Sequence, residues 1–191
     1  MIYCLIGKSA SGKDTLAKAI NERMNVPIAV SCTTRPMRPG EVQDREYHFL
    51  TDEEFHKRTF VEKRDYQVYN GETWYYGYSA DEFEKDECIA IVDVEGYYAL
   101  RDYFGDDVVH AFYIHASEET LRKRLIKRGD NPAEIERRLH DDDIRFNDFI
   151  DEVIFGGKHI LINNNHDLAD AIDELSFLIH VIRKYSGKEV D

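Results

Sequence analysis

Apolar residues along the chain fall into short, uninterrupted runs. Ile2 to Ile6 is the first; it meets Gly7 at once, and helix formers follow from Thr15 to Met24. Strand, glycine turn and helix in that order begin an α/β unit. Ile28 to Cys32, Cys88 to Val94, Val108 to Ile114 and His159 to Asn163 are further short runs, which read as strands covered on both faces. Between them the pattern predicts helices from Tyr97 to Phe104, from Glu118 to Lys127 and from Ala133 to Ile144, the last with Pro132 near its start. A closing helix from Asp167 to Arg183 repeats apolar residues at three and four: Leu168, Ala171, Ile172, Leu175, Leu178, Ile179 and Ile182. The expected fold is α/β, a five-stranded parallel sheet in a three-layer arrangement.

Residues 34–83 break this rhythm. Two Pro, one Gly and three Arg lie between Thr33 and Arg45, which excludes a packed helix or a central strand there. Irregular aromatic segments follow, with helical hints only from Asp52 to Thr59 and from Asp81 to Glu87. The stretch is too small for a core of its own, so it reads as a subdomain inserted into a single domain over 1–191, whose core is 1–33, 84–127 and 150–185. Residues 128–149 are strongly charged, and within them Gly129 and Pro132 mark a bend or a plain helix start.

Charge narrows the partners. With 38 acidic against 25 basic side chains the net charge is -13, a field that opposes nucleic acid and anionic membrane. A phosphate-bearing metabolite stays admissible, because local arginines outweigh a global charge that salt screens over ~10 Å. No run approaches the ~20 apolar residues of a membrane span. Cys4, Cys32 and Cys88 are odd in number and lie in or beside apolar runs, as reduced core thiols do. The expected setting is the cytoplasm, as a monomer or homodimer.

The sharpest motif is GKSASGKDT. Gly7 and Gly12 have the spacing G-x-x-x-x-G-K, with Ser9, Ala10 and Ser11 between them and Lys13, Asp14 and Thr15 behind. Such a loop turns its successive N–H groups inward around a phosphate, adds the dipole of the following helix, and sends a lysine to the outer phosphates. Asp14 stands where a Mg²⁺-binding hydroxyl is usual. Either its carboxylate approaches the ion, directly or through water, or it caps local N–H groups while Thr15 or solvent completes the shell. Downstream, SCTTRPMRPGEVQDREYHF places Ser31, Arg35, Arg38 and Tyr47 close in sequence. Two guanidiniums and a phenol on one anion would clamp a monophosphate; alone, the stretch also reads as a solvated basic loop.

Together with F-V-E, Y-Y-G-Y-S, V-D-V-E-G and L-R-K-R-L-I-K-R-G followed by E-R-R-L, these motifs resemble the guanylate kinase family, in order, from Ile2 to about Leu175. The resemblance implies a P-loop NTPase-type fold with an inserted monophosphate-binding subdomain and a helical lid. It implies transfer of the ATP γ-phosphoryl group to GMP or dGMP, with Mg²⁺ as cofactor and free nucleotides as partners. It assigns Ser31, Arg35, Arg38, Tyr47 and Tyr76 to the acceptor, with the arginines and both tyrosines on its phosphate. Glu62 and Asp93 fall on the guanine donors, and two carboxylates suit such an edge chemically. Lys13, Arg124, Arg128 and Arg138, with Arg35, surround the migrating phosphoryl group, and Asn163 or Asn164 lies on the adenine side.

Two further departures stand beside Asp14. The segment after Glu62 is longer than usual, and Tyr78 replaces a small hydroxyl that touches the base, leaving the phenol to stack, narrow the pocket or turn away so that Ser79 takes over. The rival readings are a monophosphate kinase of other base preference and a catalytically silent binding module. A carboxylate at position 14 repels phosphate unless metal is present, so activity should depend more steeply on Mg²⁺ than in Asp14→Ser. Rates titrated against the metal test this, and identical midpoints would exclude it.

Overall fold

The computed structural model describes residues 1–68, 71–155 and 159–186. Its main sheet is built from β1 (Ile2–Ile6), β6 (Cys88–Val92), β7 (Val109–His115) and β8 (Ile160–Asn163), all parallel, in the order β6-β1-β7-β8. Alternation along the two central strands sorts side chains into two cores. Tyr3, Leu5, Phe112 and Ile114 face α1 (Lys13–Met24) and α6 (Leu168–Tyr185), meeting Leu16, Ile20, Leu175 and Ile179. Ile2, Cys4, Ile6, Ala111 and Tyr113 face the other way, onto Tyr97 and Leu100 of α3 (Val94–Phe104) and onto Phe146, Phe149 and Val153 of α5 (Pro132–Phe155). Helices on both faces make three layers.

The expected fifth strand is a correction. Pro27 to Ala29 does run beside β6, with Ala29 N–H donating to Ile89 O and Ile89 N–H to Pro27 O (both 2.8 Å), but the pairing is a single bridge at Ile28. The chain then leaves the sheet. β2 (Cys32–Thr33) pairs with a second sheet ordered β3-β2-β5-β4, comprising β3 (His48–Phe49), β4 (Glu62–Gln67) and β5 (Thr73–Tyr78). Four parallel strands therefore form the main sheet, because the residues that would extend the fifth are drawn into antiparallel pairing with Tyr76 and Gly77.

The aromatic stretch expected to be irregular is thus an antiparallel β4–β5 pair, in register from Glu62 opposite Tyr78 to Gln67 opposite Thr73; residues 69 and 70 between the strands lie outside the described residues. The helical hints resolve into α2 (Asp52–Lys57), closed at its start by a Thr51–Glu54 capping box, and a single 3-10 turn at Ala80–Phe83.

α4 (Glu118–Arg128) ends on Gly129 in the left-handed conformation (φ 86°), where a residue without Cβ is favoured. Pro132 opens α5, where a missing N–H costs nothing. Both residues serve as helix punctuation. α5 continues well past Ile144, so one helix packs Ile135 and Leu139 on Leu121 and Leu125 of α4, then carries Phe146 and Phe149 onto the sheet. Cys4, Cys32 and Cys88 are buried free thiols. Among the described residues no helix is long and apolar enough to cross a membrane.

β7 is central and Phe112 is fully buried. Phe112→Ala should lower stability by about 3–5 kcal/mol, read from urea unfolding; a loss below ~1 kcal/mol would mean that β7 is not a packed centre.

Candidate functional site

β1 delivers the chain to Gly7 at the carboxyl ends of the parallel strands, and the next residues turn back into α1. At Gly7 an added Cβ would lie 2.6 Å from Ile114 O, and at Gly12 (φ 103°) it would lie 2.3 Å from Asn164 Nδ2. Only glycine fits either place. Lys13 Nζ donates to the carbonyls of Gly7 (2.6 Å) and Lys8 (3.1 Å). Burial lowers the pKa of Lys13 while the nearby charges of Asp14, Asp142 and Asp93 oppose the shift. Ser9 N–H donates to Asp142 Oδ2 on α5 (2.6 Å), and Lys8 is paired with Asp143. An anionic oxygen is therefore already held by a loop amide, as expected where backbone N–H groups converge at a helix start.

The loop is held from behind. Arg124 donates to Ala10 O (3.3 Å), Ser11 O (3.1 Å) and Asn164 O (2.8 Å), and Asn164 Nδ2 donates to Ser11 O (2.7 Å). Arg124 and Asn164 thus shape the loop from its far side and are not among the residues lining the cleft in front. Asn163 accepts from the backbone and side chain of Asn165. Ser11, Gly12 and Thr15 also lie off the cleft, whereas Gly7, Ser9, Ala10, Lys13 and Asp14 line it.

That cleft, about 600 Å³, has the second sheet as its opposite wall, with Ser31, Arg35, Arg38, Tyr47 and Tyr76; Arg128 and Arg138 come from α4 and α5. Arg35 is almost fully buried and forms a two-pronged pair with Glu41 (2.8 and 3.0 Å). Its guanidinium lies 5.2 Å from the centre of the Tyr47 ring and 5.6 Å from that of Phe49. Arg128 is paired with Asp130, and Arg138 with Glu134. Arg38 differs: its side chain makes no hydrogen bond or ion pair to the described residues. Desolvation and the like charges of Arg35, Arg138 and Arg128 lower its pKa, as expected where guanidiniums crowd together. Burial, with the charge of Asp14 next, pushes the Tyr47 hydroxyl up to about 12.

On the same wall Glu62, Arg64 and Tyr66 project to one side of β4, as every second residue must. Arg64 Nη1 donates to Glu62 Oε1 (2.5 Å), and Tyr66 OH to Asp93 Oδ2 (2.5 Å). Asp93 caps α3 by accepting the Gly96 N–H. Burial works to raise the pKa of Asp93, but Arg64, Tyr66, the Gly96 N–H and Arg145 together hold it low. Glu62 is raised by desolvation despite Arg64. Asp93 lines the cleft; Glu62 does not, lying behind Arg64. Tyr78 is buried, its hydroxyl bonded to both the N–H and the carbonyl of Ile91 (3.2 Å each). Ser79 starts the 3-10 turn away from the cleft lining. Arg64, Tyr66, Arg137, Asp142 and Arg145 are cleft residues that sequence reasoning missed. For Arg64 and Tyr66 the available signal was the two-residue period starting at Glu62.

A family model for guanylate kinase matches residues 1–181. The chain is 35% identical over 190 residues to the guanylate kinase of Symbiobacterium thermophilum, covering 94% of this chain and 84% of that protein. It is 36% identical over 149 residues to the guanylate kinase of Helicobacter hepaticus, covering 72% of each. The crystal structure of guanylate kinase from Anaplasma phagocytophilum has the same fold, with a TM-score of 0.64 at 22% identity over 97% of this chain and 85% of that one.

Arg124→Ala leaves the loop carbonyls of Ala10 and Ser11, and the carbonyl of Asn164, without their cation. Affinity for a nucleoside triphosphate should fall about tenfold by calorimetric titration, while Arg122→Ala, on the same helix but paired outward with Glu118 and Glu136, leaves it unchanged. Equal affinities in both variants would show that the loop does not need Arg124.

Proposed function

Because this chain belongs to the guanylate kinase family, we propose that it transfers the γ-phosphoryl group of ATP to GMP or dGMP, giving ADP and GDP or dGDP. The observation that carries this reading is that the phosphate loop with Lys13 and the cluster of Arg35, Arg38, Tyr47 and Tyr76 line one cleft. Two anion sites face each other across a gap.

An oxygen of the acceptor phosphate attacks the γ-phosphorus while the bond to the β-bridging oxygen breaks and that electron pair stays on ADP. The attacking oxygen is already anionic at neutral pH, so no general base is assigned. The protein's work is alignment and charge neutralisation. Lys13 moves from the Gly7 and Lys8 carbonyls onto the donor phosphates, which displace Asp142 from the Ser9 amide. Arg38, whose guanidinium is unpaired among the described residues, grips the acceptor phosphate beside Tyr47 and Tyr76. Arg35, fixed by Glu41, supplies charge and holds the ring of Tyr47. Arg128 and Arg138 approach the migrating group as α4 and α5 close over it, and water is kept out. Residues 34–83 act as the acceptor-binding insert and 128–149 as the lid.

The donor set fits Mg²⁺, which takes one or two carboxylates with phosphate oxygens and water. Asp14, exposed on the first turn of α1 and lining the cleft, is the carboxylate that would hold it. Mg²⁺, when bound, neutralises charge on the donor phosphates. Thr15 follows on α1 but points off the cleft. A cytoplasmic setting goes with this reading, since three buried free thiols suit a reducing compartment.

ADP release across GMP, dGMP, AMP, UMP and dTMP at saturating ATP tests the proposal, and equal turnover of AMP would overturn it. Arg38→Ala should cut kcat/KM for the acceptor by about 10–100-fold, as loss of charged hydrogen bonds predicts, with KM for ATP nearly unchanged. Unaltered acceptor kinetics would mean that the acceptor phosphate binds elsewhere.

A further inference from the structure

Tyr47 and Phe49 turn their rings to the guanidinium of Arg35, so His48 between them points the other way. Its ring lies between two carboxylates: Nδ1 is 2.6 Å from Asp44 Oδ1, and Nε2 is 2.9 Å from Glu82 Oε1. A neutral imidazole has one N–H and one lone pair and can donate to only one of them. The imidazolium donates to both. Asp81 adds a third carboxylate to the field on His48, Arg58 near Asp44 and Asp81 opposes it, and Cys32, across from His48 on β2, is a thiol that burial raises. Burial works against the charge on His48, but the hydrogen bonds to Asp44 and Glu82 prevail and raise its pKa.

Each carboxylate is in turn joined to backbone that shapes the acceptor wall. Asp44 has a left-handed conformation (φ 63°), which Asp tolerates better than most residues, and its N–H donates to Tyr47 O (2.9 Å). That closes the turn presenting Tyr47, whose ring meets the Tyr76 ring with centres 5.9 Å apart. Glu82 Oε2 accepts the Val30 N–H (2.8 Å). Val30 lies just before the insert of residues 34–83 and Glu82 at its end. One proton on His48 therefore links the two crossings of the insert to the turn that carries Tyr47.

Resting on the acceptor reading above, we infer that His48 is a positioning residue for the acceptor phosphate: as an imidazolium shared by Asp44 and Glu82 it fixes the Tyr47 turn to the base of the insert, so that acceptor use, and not donor binding, depends on its proton. Because folding raises the pKa of His48 above its ordinary value near 6.5, the link is complete below about pH 6.5 and is lost as pH rises through the folded-state value.

The test measures kcat/KM for GMP and KM for ATP across the histidine range, from about pH 6 to about 9. The phosphate of the acceptor has a second pKa of about 6 and titrates nearby, so the wild-type profile is divided by that of His48→Gln. Ratios taken at each pH within the same two preparations are insensitive to partial unfolding. The wild type should exceed His48→Gln by about fivefold at the acid end, the upper range for a partly exposed ion pair, and converge on it at the alkaline end, with KM for ATP the same in both. His48→Arg, which keeps its charge and has donors for two carboxylates, should hold the acid-end advantage at every pH. The ring protons of His48, followed by NMR, should titrate above about pH 6.5, and Asp44→Asn, which keeps the left-handed turn, should move that midpoint down. A ratio of wild type to His48→Gln that does not change with pH would leave His48 a merely structural residue and overturn the inference. A midpoint at or below about 6.5, or an equal change in KM for ATP, would overturn it too. No ADP release from GMP in any of these enzymes would overturn the acceptor reading itself.

Discussion

Like charges crowded into a small space are the constraint around which this protein is arranged. Arg35, Arg38, Arg128 and Arg138 converge on one cleft in a chain whose net charge is strongly negative. Such a cluster is tolerable only if carboxylates hold it in place, and three of the four have one: Glu41, Asp130 and Glu134. The acidic excess is thus partly a scaffold for cations. Arg38 is the member left over, with no such partner among the described residues.

The second sheet is what brings this charge opposite the phosphate loop. The chain leaves the parallel sheet after the bridge at Ile28, and the pairing of β2 with β5 brings Ser31 and Arg35 to the cleft that Lys13 lines. The β4–β5 pair then forms the rest of the wall, with Tyr76 packed edge-on between Tyr47 and Tyr66. Aromatic edges pack well at such distances; they hold the rings of Tyr47 and Tyr76, while Tyr66 also donates its hydroxyl to Asp93. In Tyr78 both hydrogen-bonding roles of the hydroxyl are taken by the backbone of Ile91, so it ties the second sheet to the first.

What could be read from the chain followed the reach of each interaction. β1, Gly7 and α1 are local in sequence and were plain from an apolar run, a glycine spacing and helix formers; β6, β7 and α6 were equally plain. β2 and β3 are two residues each and exist only through partners some 15–45 positions away, which no periodicity reveals. β4 hid for a different reason. Its alternation is genuine, but the inward residues are Glu62, Arg64 and Tyr66 instead of aliphatics, so a hydrophobic pattern does not register it. Lys13, Arg38 and Tyr47 were legible because their motif is compact. Arg124 and Asn164 were recognised as important, yet their place behind the loop depends on contacts across more than a hundred residues. The predicted end of the lid helix at Ile144 overlooked Phe146, Phe149 and Val153, which continue the same apolar stripe.

That continuity makes α5 a lever. Its fulcrum is the aromatic seat at Phe149, fully enclosed against Tyr113 and Tyr97. At about 1.5 Å per residue, Pro132 stands roughly 25 Å along the arm, Arg138 about 16 Å and Asp142 about 10 Å. A tilt of about ten degrees would carry those points by roughly 4, 3 and 2 Å. The displacement at Asp142 is enough to break its bond to the Ser9 amide, while Arg138, farther out, sweeps through a longer arc. Freeing the loop and swinging the cations would then be one movement of a single rigid arm.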